Sequence, residues 1–190
     1  MSESTKEYPW YAVVAGDTIE QGDLLLDFDV FVPGSDGSPE ALELEGELKT
    51  FDLVVMTQTC DIGHGKVRSL LLCPWWELWR FIEAAKERGE KNWGRDQREA
   101  LRRGNLPGYH LLDSASFDDL RIGLGVVDFH EVYTAPTDRV REFAKQAVKR
   151  LRLCPPYREH LAQAFARFFM RVGLPADIPA ERLKAPPATE

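Results

Sequence analysis

In the first third of the chain, apolar and polar positions alternate with the two-residue period of β-strands. Trp10 to Val14 is a short apolar run ended by Gly16-Asp17. After Gly22-Asp23, residues 24–32 carry Asp27 and Asp29 between Phe28, Val30 and their apolar neighbours, the mark of a half-buried strand. Pro33 to Pro39 has loop composition. Residues 41–49 alternate cleanly, with Leu42, Leu44 and Leu48 on one face. Residues 53–56 and 70–73 are continuous apolar runs within the stretches 52–56 and 67–73, which suit strands covered on both faces. The pattern predicts strands over 22–32, 41–49, 52–58 and 67–73.

The middle of the chain changes character. After Pro74, residues Trp75, Trp79 and Ile82 fall at helical spacing, and residues 83–103 are dense in charge of both signs. This predicts a helical insertion over 75–104. Strands return over 108–112 and 126–133. Thr137 is placed to cap a helix with Val140, Phe143, Ala147 and Leu151 on one stripe. Pro155-Pro156 ends it, and Pro156 is suited to open a last helix whose stripe is Leu161, Phe165, Phe168 and Val172. The expected fold class is α+β with a mostly β core. It is a small antiparallel barrel with the helical insertion and two C-terminal helices over 137–172, forming one domain over 1–175. Residues 176–190, rich in proline and alanine, read as a flexible tail.

Composition narrows the class. With 190 residues, 44% hydrophobic and 29% charged, the chain can bury a core without disulfides or metal. The longest apolar run, residues 70–76, is too short for a bilayer, and the polar N-terminus lacks a secretory h-region. Three cysteines, none closely spaced, fit a reducing cytoplasm. The net charge of −7 is uneven: residues 1–62 hold two lysines and fourteen acids, and the rest of the chain is mildly basic. That excludes a whole-protein basic field for nucleic acid.

The order of elements resembles the MazF/PemK toxin family. Its features here are Gly22-Asp23 opening an acidic-aliphatic strand, the buried strand Leu53 to Met56 ending in Thr57-Gln58-Thr59-Cys60-Asp61, and the second buried strand Leu70 to Cys73 ending in Pro74. A later strand, 126–134, leads to Asp138-Arg139-Val140. The resemblance spans residues 20–172, with 75–103 as an insertion. It implies an SH3-like barrel and metal-independent endoribonuclease chemistry, in which an arginine stabilises the phosphorane and a hydroxyl assists proton transfer. The family arginine would stand near Thr50, Phe51 and Asp52, and the family serine or threonine where Trp75 and Trp76 are. Neither residue is matched.

Candidate chemistry concentrates in two places. If the chain cleaves RNA, Arg68 with Thr57 or Thr59 is the best catalytic set. Gln58, Cys60, Asp61 and His64 form the accompanying polar cluster. An adjacent Asp61 would raise the Cys60 thiol pKa, and the threonines could equally serve backbone groups of the turn. No paired zinc-ligand spacing occurs, so no metal or other cofactor is expected. Trp75, Trp76 and Trp79 are more aromatic surface than one helix hides, and suggest a patch for a protein partner. Two functions are therefore expected from the resemblance. One is a divergent toxin-type, RNA-related domain of a bacterial conflict or defence system. The other is a non-catalytic interaction module on the same barrel, contacting an antitoxin-like or regulatory protein or a second copy of itself, away from membranes.

Overall fold

A computed structural model of the chain describes residues 8–34, 46–89 and 93–170. The elements in order are β1 (Tyr11–Val14), β2 (Leu24–Pro33), β3 (Gly46–Val55), α1 (Thr59–Gly63), β4 (Ser69–Glu77), α2 (Leu78–Glu87) and α3 (Arg95–Arg102). They continue with β5 (Tyr109–Leu112), β6 (Ala115–Ser116), β7 (Arg121–Ile122), β8 (Gly125–Asp128), β9 (Tyr133–Pro136), α4 (Thr137–Gln146), β10 (Arg150–Leu153) and α5 (Tyr157–Phe169). The fold is α+β, and every strand pair is antiparallel.

The main sheet runs β2-β3-β4-β8-β5, with β9 also pairing with β4. Strands β1 and β10 form a pair of their own, as do β6 and β7. Hydrogen-bonded pairing does not close the main sheet into a barrel among the described residues. One face of it, carrying Val54, Cys73, Trp75, Leu112 and Val127, packs on Leu151, Leu153 and Leu161 of β10 and α5. The other face is divided. Leu25, Phe28, Leu53, Val55 and Leu70 pack on Val140 and Ala144 of α4. Val126 packs on Phe81, Ile82 and Leu101 of α2 and α3.

Several expectations need correction. The two strands expected over 41–49 and 52–58 are one strand, β3, from Gly46; residues 41–45 lie outside the described residues. The insertion helix does not begin at Trp75. β4 runs through Pro74 to Glu77, because Trp75, Trp76 and Glu77 find partners in Val127, Val126 and Gly125 of β8. Pro74 is tolerated because it falls between the last β9 pair at Leu72 and the first β8 pair at Trp75, where no ladder donor is needed. The strand expected over 126–133 is likewise two strands, β8 and β9, which serve opposite halves of β4.

The helix expected to reach Leu151 stops at Gln146, and Leu151 lies in strand β10. Thr137 does not cap that helix: it is buried in its first turn, and its hydroxyl donates to the Val67 carbonyl. Arg150 and Arg152 account for β10. Asp23, fully buried, accepts from Arg150 Nε at 3.0 Å and from Arg152 Nε and Nη2, while Arg150 also donates to the Gly16 and Thr18 carbonyls. A buried carboxylate needs such partners, and they draw the chain into a strand beside β1.

Helix α5 matches its predicted stripe at Leu161, fully buried, with Phe165 and Phe168 half-buried and Arg167 exposed. Val172 lies outside the described residues.

Candidate functional site

The expected catalytic set is not assembled as one site. Thr57 is buried, and its hydroxyl accepts the Leu71 amide at 2.7 Å. The Thr59 hydroxyl accepts the Gln21 amide at 3.1 Å. Both hydroxyls therefore hold backbone, satisfying amides that strand pairing leaves without partners. Arg68 is exposed, and its carbonyl accepts the Thr137 amide. No hydrogen bond joins its guanidinium to either threonine among the described residues.

Residues 59–63, expected as a polar turn, wind into the short helix α1. Gln58 precedes it and is exposed. Cys60 is exposed, with its thiol 3.7 Å from Gln58 Oε1 and 3.8 Å from Asp61 Oδ1. His64 Nδ1 lies 2.7 Å from the Cys60 carbonyl rather than at its thiol. Asp61 pairs with Lys66 at 3.4 Å. The cluster is a helix-terminus network without a thiol–imidazole pair. No group of three or more potential metal ligands occurs among the described residues.

The tryptophans separate. Trp75, 6% exposed, belongs to the core between the sheet and α5, and Trp76 packs with α2 and α3. Only Trp79 stands out, 54% exposed, with the Arg98 guanidinium 5.4 Å from its ring. A surface patch of all three does not form, because the strand alternation of β4 sends Trp75 and Trp76 to opposite faces.

A different place has the makings of a site. β3 pairs with β4 only over Leu53–Pro74 to Val55–Leu72; beyond Pro74, β4 turns away to β8. The divergence opens a cleft of about 530 Å³. Leu26 and Asp27 of β2, Thr50, Phe51 and Asp52 of β3, and residues 74–77 of β4 line it. Arg80 of α2 and residues 121–123 at β7 complete the rim.

Three physical features meet there. A register shift between Leu25 and Phe28 bulges β2, and Asp27 sits at φ 56°, in the left-handed region that non-glycine residues seldom occupy. The Asp27 amide donates to Asp52 Oδ1 at 2.9 Å. Burial, outweighing that hydrogen bond, holds the Asp52 carboxyl above the usual carboxylate range, and the Asp27 charge adds to the effect. Glu77 is 3.8 Å from Arg80 across the rim. Strain, a perturbed carboxylate and a concave wall in one place are the usual company of a functional site.

Sequence reasoning missed the cleft because its charged groups come from residues 27, 52, 77, 80 and 121. The one available signal was that the two places where the resemblance lacks its catalytic residues, 50–52 and 75–76, both lie on the cleft wall. No helix among the described residues is long and apolar enough to cross a membrane. In comparisons with known proteins, no family model, curated protein or solved structure matches the chain.

Proposed function

We propose that the chain is a divergent MazF/PemK-like domain of a bacterial conflict or defence system, working in the cytoplasm as a non-catalytic protein-interaction module. Its binding site is the β3–β4 cleft. The observation that carries this reading is the content of that cleft. Where the resemblance expects an arginine and a hydroxyl facing RNA, the wall holds Thr50, Phe51, Asp52, Trp75 and Trp76, joined by the carboxylates of Asp27 and Glu77. Three carboxylates repel a phosphate backbone rather than attract it. Three contacts support the SH3-like form of the barrel. The Asp23–Arg152 bridge and the Leu153 amide on the Gly22 carbonyl carry β10 onto β2. The Tyr11 hydroxyl donates to the Asp113 carbonyl just past β5 at 2.9 Å, leaning β1 toward the far edge.

The RNA-cleaving alternative has one observation in its favour. Arg80 and Arg121 bring guanidinium forks to the same rim. The test is incubation of the purified protein with mixed RNA in EDTA, together with a photo-crosslinking residue at Thr50 in bacterial cells. The expected result is intact RNA and a discrete protein adduct, absent when the crosslinker is moved to the exposed Val148. Site-specific RNA cleavage lost in folded Arg80→Ala or Arg121→Ala would replace this reading with the ribonuclease one. A Thr50 crosslinker that captures no protein would also overturn it.

A further inference from the structure

We propose that the cleft receives an extended, basic segment of a partner protein, which adds to the free edge of β3 as a further strand. This rests on the interaction reading and names its ligand class.

The geometry begins with hydrogen-bond parity. In an antiparallel ladder, successive residues turn their backbone groups alternately to the two neighbours. The Val55 amide donates to the Asp23 carbonyl and the Val55 carbonyl accepts the Gly22 amide, so Val55 and every second residue before it face β2. The Met56 amide donates to the Leu71 carbonyl, on the β4 side. Leu48, Thr50 and Asp52 share that parity and turn their amides and carbonyls away from β2. The bulge does not disturb this count, because its extra residue lies in β2. No strand pairs with this stretch on the β4 side among the described residues. Thr50 and Asp52 border the cleft, so the free edge opens into it. Such an edge is a template for another strand.

Two further observations specify the strand. The first is charge. Asp52 and Asp27 adjoin at the bulge, Glu77 faces them across the cleft, and Asp29 follows along β2 beside Thr50. Against these stand Arg80 and Arg121. Arg80 also acts on the Asp52 carboxylate, and its pairing with Glu77 is a longer, exposed contact that an incoming cation can replace. The second is Trp75, which lines the cleft beside Pro74 and Phe51 and gives the added strand an apolar surface to pack on.

Side chains of an added strand alternate between faces, so the basic residues belong at every second position with apolar ones between them. The protein already contains one strand of this kind. Arg150-Leu151-Arg152-Leu153 directs two arginines, two positions apart, onto the single carboxylate of Asp23.

The test uses the full chain and fluorescence anisotropy with three labelled probes: a short peptide of alternating arginine and valine, the same peptide with glutamate for arginine, and a single-stranded oligoribonucleotide. The basic peptide is expected to bind in preference to the other two. Asp27→Asn combined with Glu77→Gln should weaken it about tenfold, since asparagine tolerates the left-handed backbone and only charge is removed. Thr50→Pro should weaken it comparably. Proline at that position removes an outward amide and leaves the β2 ladder intact, which circular dichroism and a melting curve of the variant would verify. Equal binding of the acidic peptide, preference for the oligoribonucleotide, or full binding by a folded Thr50→Pro protein would each overturn the inference. If no basic peptide binds while the Thr50 crosslinker still captures a protein, the ligand class falls and the interaction reading stands. If both fail, both fall.

Discussion

The Asp27 amide donates to the Asp52 carboxylate at 2.9 Å, tying the bulge of β2 to β3 at the border of the cleft. Asp27 is the only non-glycine residue with positive φ among the described residues, and its amide has left the ladder to β3. Asp52→Ala should cost about 1–2 kcal/mol, because the Asp27 amide then loses its acceptor in a half-enclosed place. Asp52→Asn retains an acceptor and should cost less. Burial disfavours the charged Asp52, so its penalty grows as pH rises through its raised pKa, and the gap between wild type and Asp52→Asn should change across that range. Urea unfolding of the three proteins checks this; an Asp52→Ala midpoint equal to wild type would mean the bulge stands without the bond.

Arg150 and Asp23 are 4% and 0% exposed and carry the junction of β10 with the rest of the fold. Arg150→Met leaves a buried carboxylate with one partner fewer and should cost about 3–5 kcal/mol. Adding Asp23→Leu to it should cost less than the sum of the two single changes, since the second removes the charge the first exposes. Strict additivity in a double-mutant cycle would show that the pair is not coupled.

His110 gives the fold a pH dependence with a defined sign. Burial, reinforced by the charges of His160 and Arg167, pushes its pKa down to about 4. In the unfolded chain it titrates near 6.5. Between those values the unfolded state binds the proton and the folded state does not, so stability falls as pH drops from about 6.5 toward 4. His110→Phe should flatten that part of the stability–pH curve. An unchanged slope in the variant would assign the acid sensitivity to other groups.

The three cysteines are unpaired and unequal. Cys60 is exposed, whereas Cys73 is fully buried and burial pushes its thiol up to about 12. A thiol reagent applied to the native protein at neutral pH should label Cys60 quickly and Cys73 only after unfolding. Peptide mapping distinguishes the sites; rapid native labelling of Cys73 would indicate frequent opening of the sheet.

What could be read along the chain was local. The buried run at 53–56, the apolar run at 70–73, whose Leu71 is exposed in the fold, the strand at 109–112, the helix from Tyr157 and the α+β class all follow from periodicity and burial within a dozen residues. The places that escaped depended on partners far away. Leu25 and Phe28 face the same cluster although three positions apart, because the bulge inserts one residue and reverses the alternation. Trp75 and Trp76 sit as readily in a helix as in a strand, and only the arrival of β8, some fifty residues on, makes them strand. Leu151 completes a helical stripe in the sequence, yet the buried Asp23 and its two arginines make it strand. The cleft was the least legible feature of all. Its carboxylates and guanidiniums come from residues 27, 52, 77, 80 and 121, and they meet only because β4 leaves β3 for another strand. Local sequence determined which segments hide from water and with what period. Which faces meet, and where a strand edge is left open, was decided by long-range pairing, whose energy lies in contacts between segments that no local pattern encodes.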